Sequence, residues 1–144
     1  MKELIISLLM FISQNSNLQY DENQHVSVIP VDSLTLTMIA HNGRLPKGRD
    51  YRSESIVGLF HQGSQTVYLS DKLDLDSSYG QSVLVHELVH FLQFQNGLYA
   101  SSVCIQSLEK LAYQMTNKYL VANGEKPLFS KKHIRAATGF CGDY

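Results

Sequence analysis

The sequence is short of several things, and each shortage removes a class of function. It has two cysteines, Cys104 and Cys141. They are far apart in sequence, so a C-x-x-C redox pair or a zinc knuckle is not expected. It lacks a surplus of one charge: 12 Lys plus Arg stand against 13 Asp plus Glu, a net charge of −1. No electrostatic footprint for nucleic acid or an anionic membrane follows. It also lacks an apolar run of membrane-spanning length. Leu4 to Ile12 is nearly unbroken but only nine residues long, where a transmembrane helix needs about 20. Asp74 and Asp76 are not part of a D-x-[DN]-x-[DN]-G calcium loop. There is no internal repeat and no low-complexity tract.

What remains is ordinary in bulk: 144 residues, 44% apolar and 17% charged, long enough for one globular domain over residues 1–144. Two readings of the cysteines stay open. They are buried thiols, or they form a Cys104–Cys141 disulfide that tethers the Gly-flanked tail around Cys141. The bridge would imply an oxidising compartment. On that ground a secreted or periplasmic location is expected, with a cytoplasmic one left open.

Residues 4–12 also fit either a signal-peptide core or a first helix of the mature chain. Glu3 cancels Lys2 and no A-x-A cleavage pattern follows, which favours a helix from Glu3 to about Gln14. Val26 to Val31 reads as a short strand, confined by Pro30 to an edge or a strand end. Asp32 or Ser33 can cap a helix over Leu34–Ala40, which stops at Asn42-Gly43. The polar stretch Arg44–Ser55 reads as a loop. Ile56–His61 and Thr66–Ser70 flank Gln62-Gly63-Ser64-Gln65 and predict a hairpin. A helix over Ser82–Gln95 should end at Gly97. Ser101 or Ser102 can start another, running to about Ala122. A last short helix over Lys131–Ala137 follows Pro127 and Ser130.

The chemistry sits in the apolar run Ser82–Gln95. His86-Glu87-Leu88-Val89-His90 places two imidazoles four residues apart, hence on one face of a helix, one turn above each other. Two such rings can hold one metal ion, and Glu87 can take a proton from water bound to it. The rival reading is two core histidines and a surface glutamate. Burying two imidazoles and a carboxylate within five residues is costly unless something pairs them.

A catalytic zinc commonly takes three protein ligands and one water. Glu109 is the candidate third ligand. If two antiparallel helices turn near residues 98 and 99, residue 109 stands level with residue 88, midway between the histidines. Ala112 and Tyr113 share its face, the small Ala allowing close helix approach. Cys104 is a rival, but it points about 140° away on the same helix. His133 and Asp143 are remoter candidates.

With His86-Glu87-Leu88-Val89-His90 followed nineteen residues on by Glu109, the chain resembles the gluzincin clan of zinc metallopeptidases in a minimal single-domain form. The stretch Leu84–Gly124, including Gln93, Cys104 and Ala112-Tyr113, also looks like a family of small bacterial zincin-like proteins. At position 113 it has Tyr where many clan members carry an acidic residue that orients a histidine. The resemblance implies one zinc ion held by His86, His90 and Glu109, with Glu87 as general base in peptide-bond hydrolysis. Tyr113, His133 and Tyr119 are candidate oxyanion or outer-layer partners. The implied fold is α+β: a small antiparallel or mixed sheet whose hairpin packs on the motif helix, an antiparallel Glu109 helix, and four or five helices in all. An extended peptide or protein substrate would add as a strand to residues 66–70. Two other readings stay open: a catalytically inactive zinc-binding interaction or structural module, and a metal-free helical interaction protein. A fourth coordination position open to a cleft favours the enzyme.

Overall fold

A computed structural model describes residues 1–43, 56–101, 104 and 106–138. In chain order the elements are α1 (Lys2–Gln14), β1 (Ser27–Val31), α2 (Ser33–Ala40), β2 (Gly58–His61), β3 (Thr66–Ser70), α3 (Ser78–Gln95), α4 (Leu98–Ser101), α5 (Ser107–Ala122) and α6 (Lys131–Thr138). The fold is α+β with a three-stranded mixed sheet. The described residues hold six helices rather than four or five.

The fold is built around α3. Of its residues from Ser82 to Gln93, all but His86 are buried. A helix apolar nearly all round has to be enclosed, and α3 packs against α5, α1, α4, β2 and β3. Its start lies four residues earlier than the apolar pattern suggested. Ser77 Oγ accepts from Gly80 N at 2.9 Å and caps the first turn, which satisfies a helix-end donor. Gly80 permits this geometry: a Cβ there would stand 1.9 Å from Asp74 O. At the other end Gly97 takes φ +77°, the left-handed conformation that closes helices.

The hairpin forms as expected, with Gly58 opposite Leu69 and His61 opposite Thr66. The sheet order, however, is β1-β3-β2. β1 runs parallel to β3 with Ser27 opposite Thr66, so both edges of β3 are taken. Thr66, Val67, Leu69 and Ser70 are accordingly buried. Strand addition to residues 66–70 is therefore ruled out by pairing that is already complete. β1 lies at an edge, where Pro30 costs no ladder bond, and Asp32 Oδ1 caps α2 by accepting from Thr35 N at 2.7 Å.

Two further expectations change. The link Leu98–Ala100 is itself helical, as α4, and the Glu109 helix starts at Ser107 rather than at Ser101 or Ser102. The loop at 44–55 and the tail from residue 139 lie outside the described residues. The expected Cys104–Cys141 pairing lies outside the described residues, because Cys141 does. Cys104 Sγ is 3.3 Å from Gln106 Oε1. The inference of a secreted or periplasmic location, which rested on that bridge, is not supported. No described helix is long and apolar enough to cross a membrane.

Candidate metal centre

His86 and His90 project from one face of α3, their ring centroids 5.0 Å apart and nearly perpendicular. Glu109, in the first turn of α5, lies opposite. Its carboxylate spans both rings: Oε2 is 3.1 Å from His86 Nε2 and Oε1 is 2.9 Å from His90 Nε2. Glu87 completes the group. Ligand atoms of His86, Glu87 and His90 lie within 4.8 Å of one another. The α3 pattern thus brings together the three motif residues, and α5 supplies the fourth.

The electrostatics follow from enclosure. Burial is the main cause that pushes the Glu87 carboxyl above its usual range; the charges of His86 and His90 oppose it and Glu109 reinforces it. For His90, burial alone would lower the pKa, but the Glu109 hydrogen bond and the charges of Glu87 and Glu109 outweigh it and raise it. Burial would likewise raise Glu109, yet the hydrogen bonds from His86 and His90 win and hold it well below the ordinary carboxylate range.

The donor set suits zinc. Two imidazole nitrogens and one carboxylate are a common three-ligand set for a catalytic ion. Neighbouring ligand atoms on a tetrahedral zinc stand about 3.3–3.6 Å apart, given bonds of about 2.0–2.2 Å. The 2.9 and 3.1 Å separations here, to the two oxygens of Glu109, are those of hydrogen-bonded pairs and fall a few tenths of an ångström short of that spacing. The four groups open on a cleft of about 590 Å³, walled by β2 with Val57, by α3, by Tyr99, by α5 and by Leu128, Phe129 and His133.

Of the expected outer partners, Tyr113 and His133 line this cleft. The Tyr113 ring meets His86 edge-on at 4.9 Å and His133 at 5.4 Å. His133 stacks on Phe129 at 5.0 Å. Tyr119 does not line the cleft. It is buried beside Phe11, and its hydroxyl donates to Gln81 Oε1, so it is removed as an oxyanion partner. Asp143 lies outside the described residues.

Sequence reasoning gave no role to three site residues. Tyr99, half-buried in the cleft wall, has its hydroxyl pushed up to about 12, first by burial and then by the charges of Glu109 and Glu87. No spacing rule ties it to the motif. Gly58 lies against Glu87: a Cβ there would come 3.1 Å from Glu87 Cγ, 3.2 Å from Val83 Cγ1 and 3.3 Å from Leu69 Cδ2. A glycine inside a strand is the signal that could have marked it. The third, Gln93, contacts His90 Nδ1 through Oε1 at 2.9 Å.

This geometry defines a class of site: two helix-borne histidines and a carboxylate from a second helix, at the floor of a cleft, with a further buried carboxylate beside them. The chain itself belongs to a family described as a domain of unknown function (DUF6647), whose model matches residues 1–142. No curated protein and no solved structure matches it.

Proposed function

We propose that the chain is a zinc-dependent metallopeptidase of the gluzincin kind. The observation that carries this reading is the convergence of His86 Nε2 and His90 Nε2 on the Glu109 carboxylate, with buried Glu87 at the same cleft floor. His86, His90 and Glu109 would hold the ion. Bound there, zinc supplies Lewis acidity, lowering the pKa of water towards about 7 and polarising a carbonyl.

The chain's own residues do the rest. Glu87 accepts a proton from water as its oxygen bonds to the peptide carbonyl carbon. It returns that proton to the nitrogen as the C–N bond breaks. A carboxyl raised by burial is closer in proton affinity to these partners than an exposed one. Tyr99 and Tyr113, both raised by burial and by the negative field of Glu109 and Glu87, keep their hydroxyl protons at neutral pH and can donate to the developing oxyanion.

Substrate binding is assigned to β2. Among the described residues its outer edge pairs with no strand. Val57 O accepts from Ser70 N at 2.9 Å, so by antiparallel alternation the backbone groups of Gly58 and Phe60 face outward. Both residues line the cleft. An extended peptide adding there would lie along the floor beside Glu87.

Glu87→Gln tests the reading. Zinc binding should persist while turnover of a peptide library falls by about 10²–10⁴, the usual worth of a general base. Full turnover in that variant would refute the role.

A further inference from the structure

Gln93 is 1% exposed, and each of its two polar ends has a partner. Nε2 donates to Leu108 O at 2.9 Å, and Oε1 meets His90 Nδ1 at 2.9 Å. The polarity of this chain is fixed. A backbone carbonyl only accepts, so the amide nitrogen must face Leu108. The amide oxygen then faces the imidazole, and it too only accepts. Nδ1 of His90 must therefore carry a hydrogen. The nitrogen left to bind an ion is Nε2, the one that faces Glu109 at 2.9 Å.

The same side chain joins two helices. Leu108 precedes Glu109 in the first turn of α5. The connection between α3 and α5 contains the helix α4 rather than a direct turn, and the buried Gln93–Leu108 hydrogen bond joins the two helices beside Glu109. We propose that Gln93 is the positioning residue of the centre: it selects the His90 nitrogen that is offered to metal and anchors Glu109 level with it. The inference rests on the metal-site reading above.

The test uses the full chain, zinc ion alone as probe, and Gln93→Met, which keeps length and volume but removes the amide. Loss of an outer hydrogen-bond partner typically weakens metal affinity about 10–100-fold, and that fall is expected here. In chelator-treated protein, backbone amides in the first turn of α5 should exchange about five- to tenfold faster, as loss of one net hydrogen bond implies. Zinc affinity within about threefold of wild type together with unchanged exchange overturns the proposal, since affinity is expected to fall at least about tenfold. If Gln93→Met does not fold, Gln93→Glu decides, because its carboxylate can accept from His90 but cannot donate to Leu108 O. Faster exchange with a smaller affinity loss than tenfold supports the proposal, and wild-type behaviour overturns it. If wild-type protein takes up no zinc, the metallopeptidase reading falls. The exchange comparison then decides on its own, faster exchange upholding the Gln93 anchor and unchanged exchange overturning it.

Discussion

At the scale of single residues, the candidate site crowds acidic and imidazole groups into a largely buried cluster. Glu87 is the sharpest case: its carboxyl is held high by burial, and its methylene lies against the bare α-carbon of Gly58. The Gly58→Ala change forces contacts near 3.1 Å with Glu87 and Val83. Overpacking of this kind costs about 1–3 kcal/mol, measurable by denaturant unfolding. Peptidase turnover should fall further than that destabilisation explains, because the displaced atom belongs to the proposed base. Wild-type turnover in a folded Gly58→Ala protein would separate Glu87 position from function. The clustering of the three motif side chains was legible from type and spacing alone. Gly58 was not, because its constraint comes from a helix that arrives twenty-odd residues later in the chain.

Among the elements, α5 and α6 form the wall that faces β2 across the cleft. Asn117 of α5 holds the segment just before α6: Oδ1 accepts from Leu128 N at 2.9 Å and Phe129 N at 3.0 Å, and Nδ2 donates to Phe129 O at 2.8 Å. Leu128 and Phe129 line the cleft, while Asn117 itself does not. Asn117→Ala should cost about 1–3 kcal/mol for the lost partly buried bonds. Steady-state kinetics should show KM rising more than kcat falls, since the wall shapes binding rather than proton transfer. A pure loss of kcat would contradict that division. Helix periodicity made α3 and α5 readable, and the reflection about residue 98.5 found Glu109. It did so although the connection is no tight hairpin, since α4 and the residues after it intervene. The buried Gln93 link to Leu108 joins the two helices beside Glu109. Sheet order was unreadable because β1 pairs with β3 across the whole of α2 and β2, and no local signal records so distant a partner.

For the whole molecule, the proposed reading has the centre couple folding to pH and to metal. In chelator-treated protein the raised His90 pKa means its pairing with Glu109 stabilises fully below the unfolded imidazole value of 6.5. That contribution is lost as pH rises through the folded value. Glu109, lowered from 4.5, contributes above 4.5 and loses its effect as pH falls. Glu87, raised from 4.5, favours the protonated fold, so its ionisation weakens stability as pH rises. The losses from His90 and Glu87 both come as pH rises. Zinc requires the ligands deprotonated, so its stabilising increment should grow from about pH 6 to about pH 8, checked by melting curves with chelator and with zinc. An increment that shrinks with pH would contradict the assignment of ligands.

The central claim is that His86, His90 and Glu109 bind one ion jointly, and zinc titration with metal analysis tests it most directly. The account predicts one zinc per wild-type chain and an affinity in Glu109→Ala weaker by more than about 100-fold, beyond the usual effect of outer partners. No uptake by the wild-type chain, or equal affinity in Glu109→Ala, would contradict it.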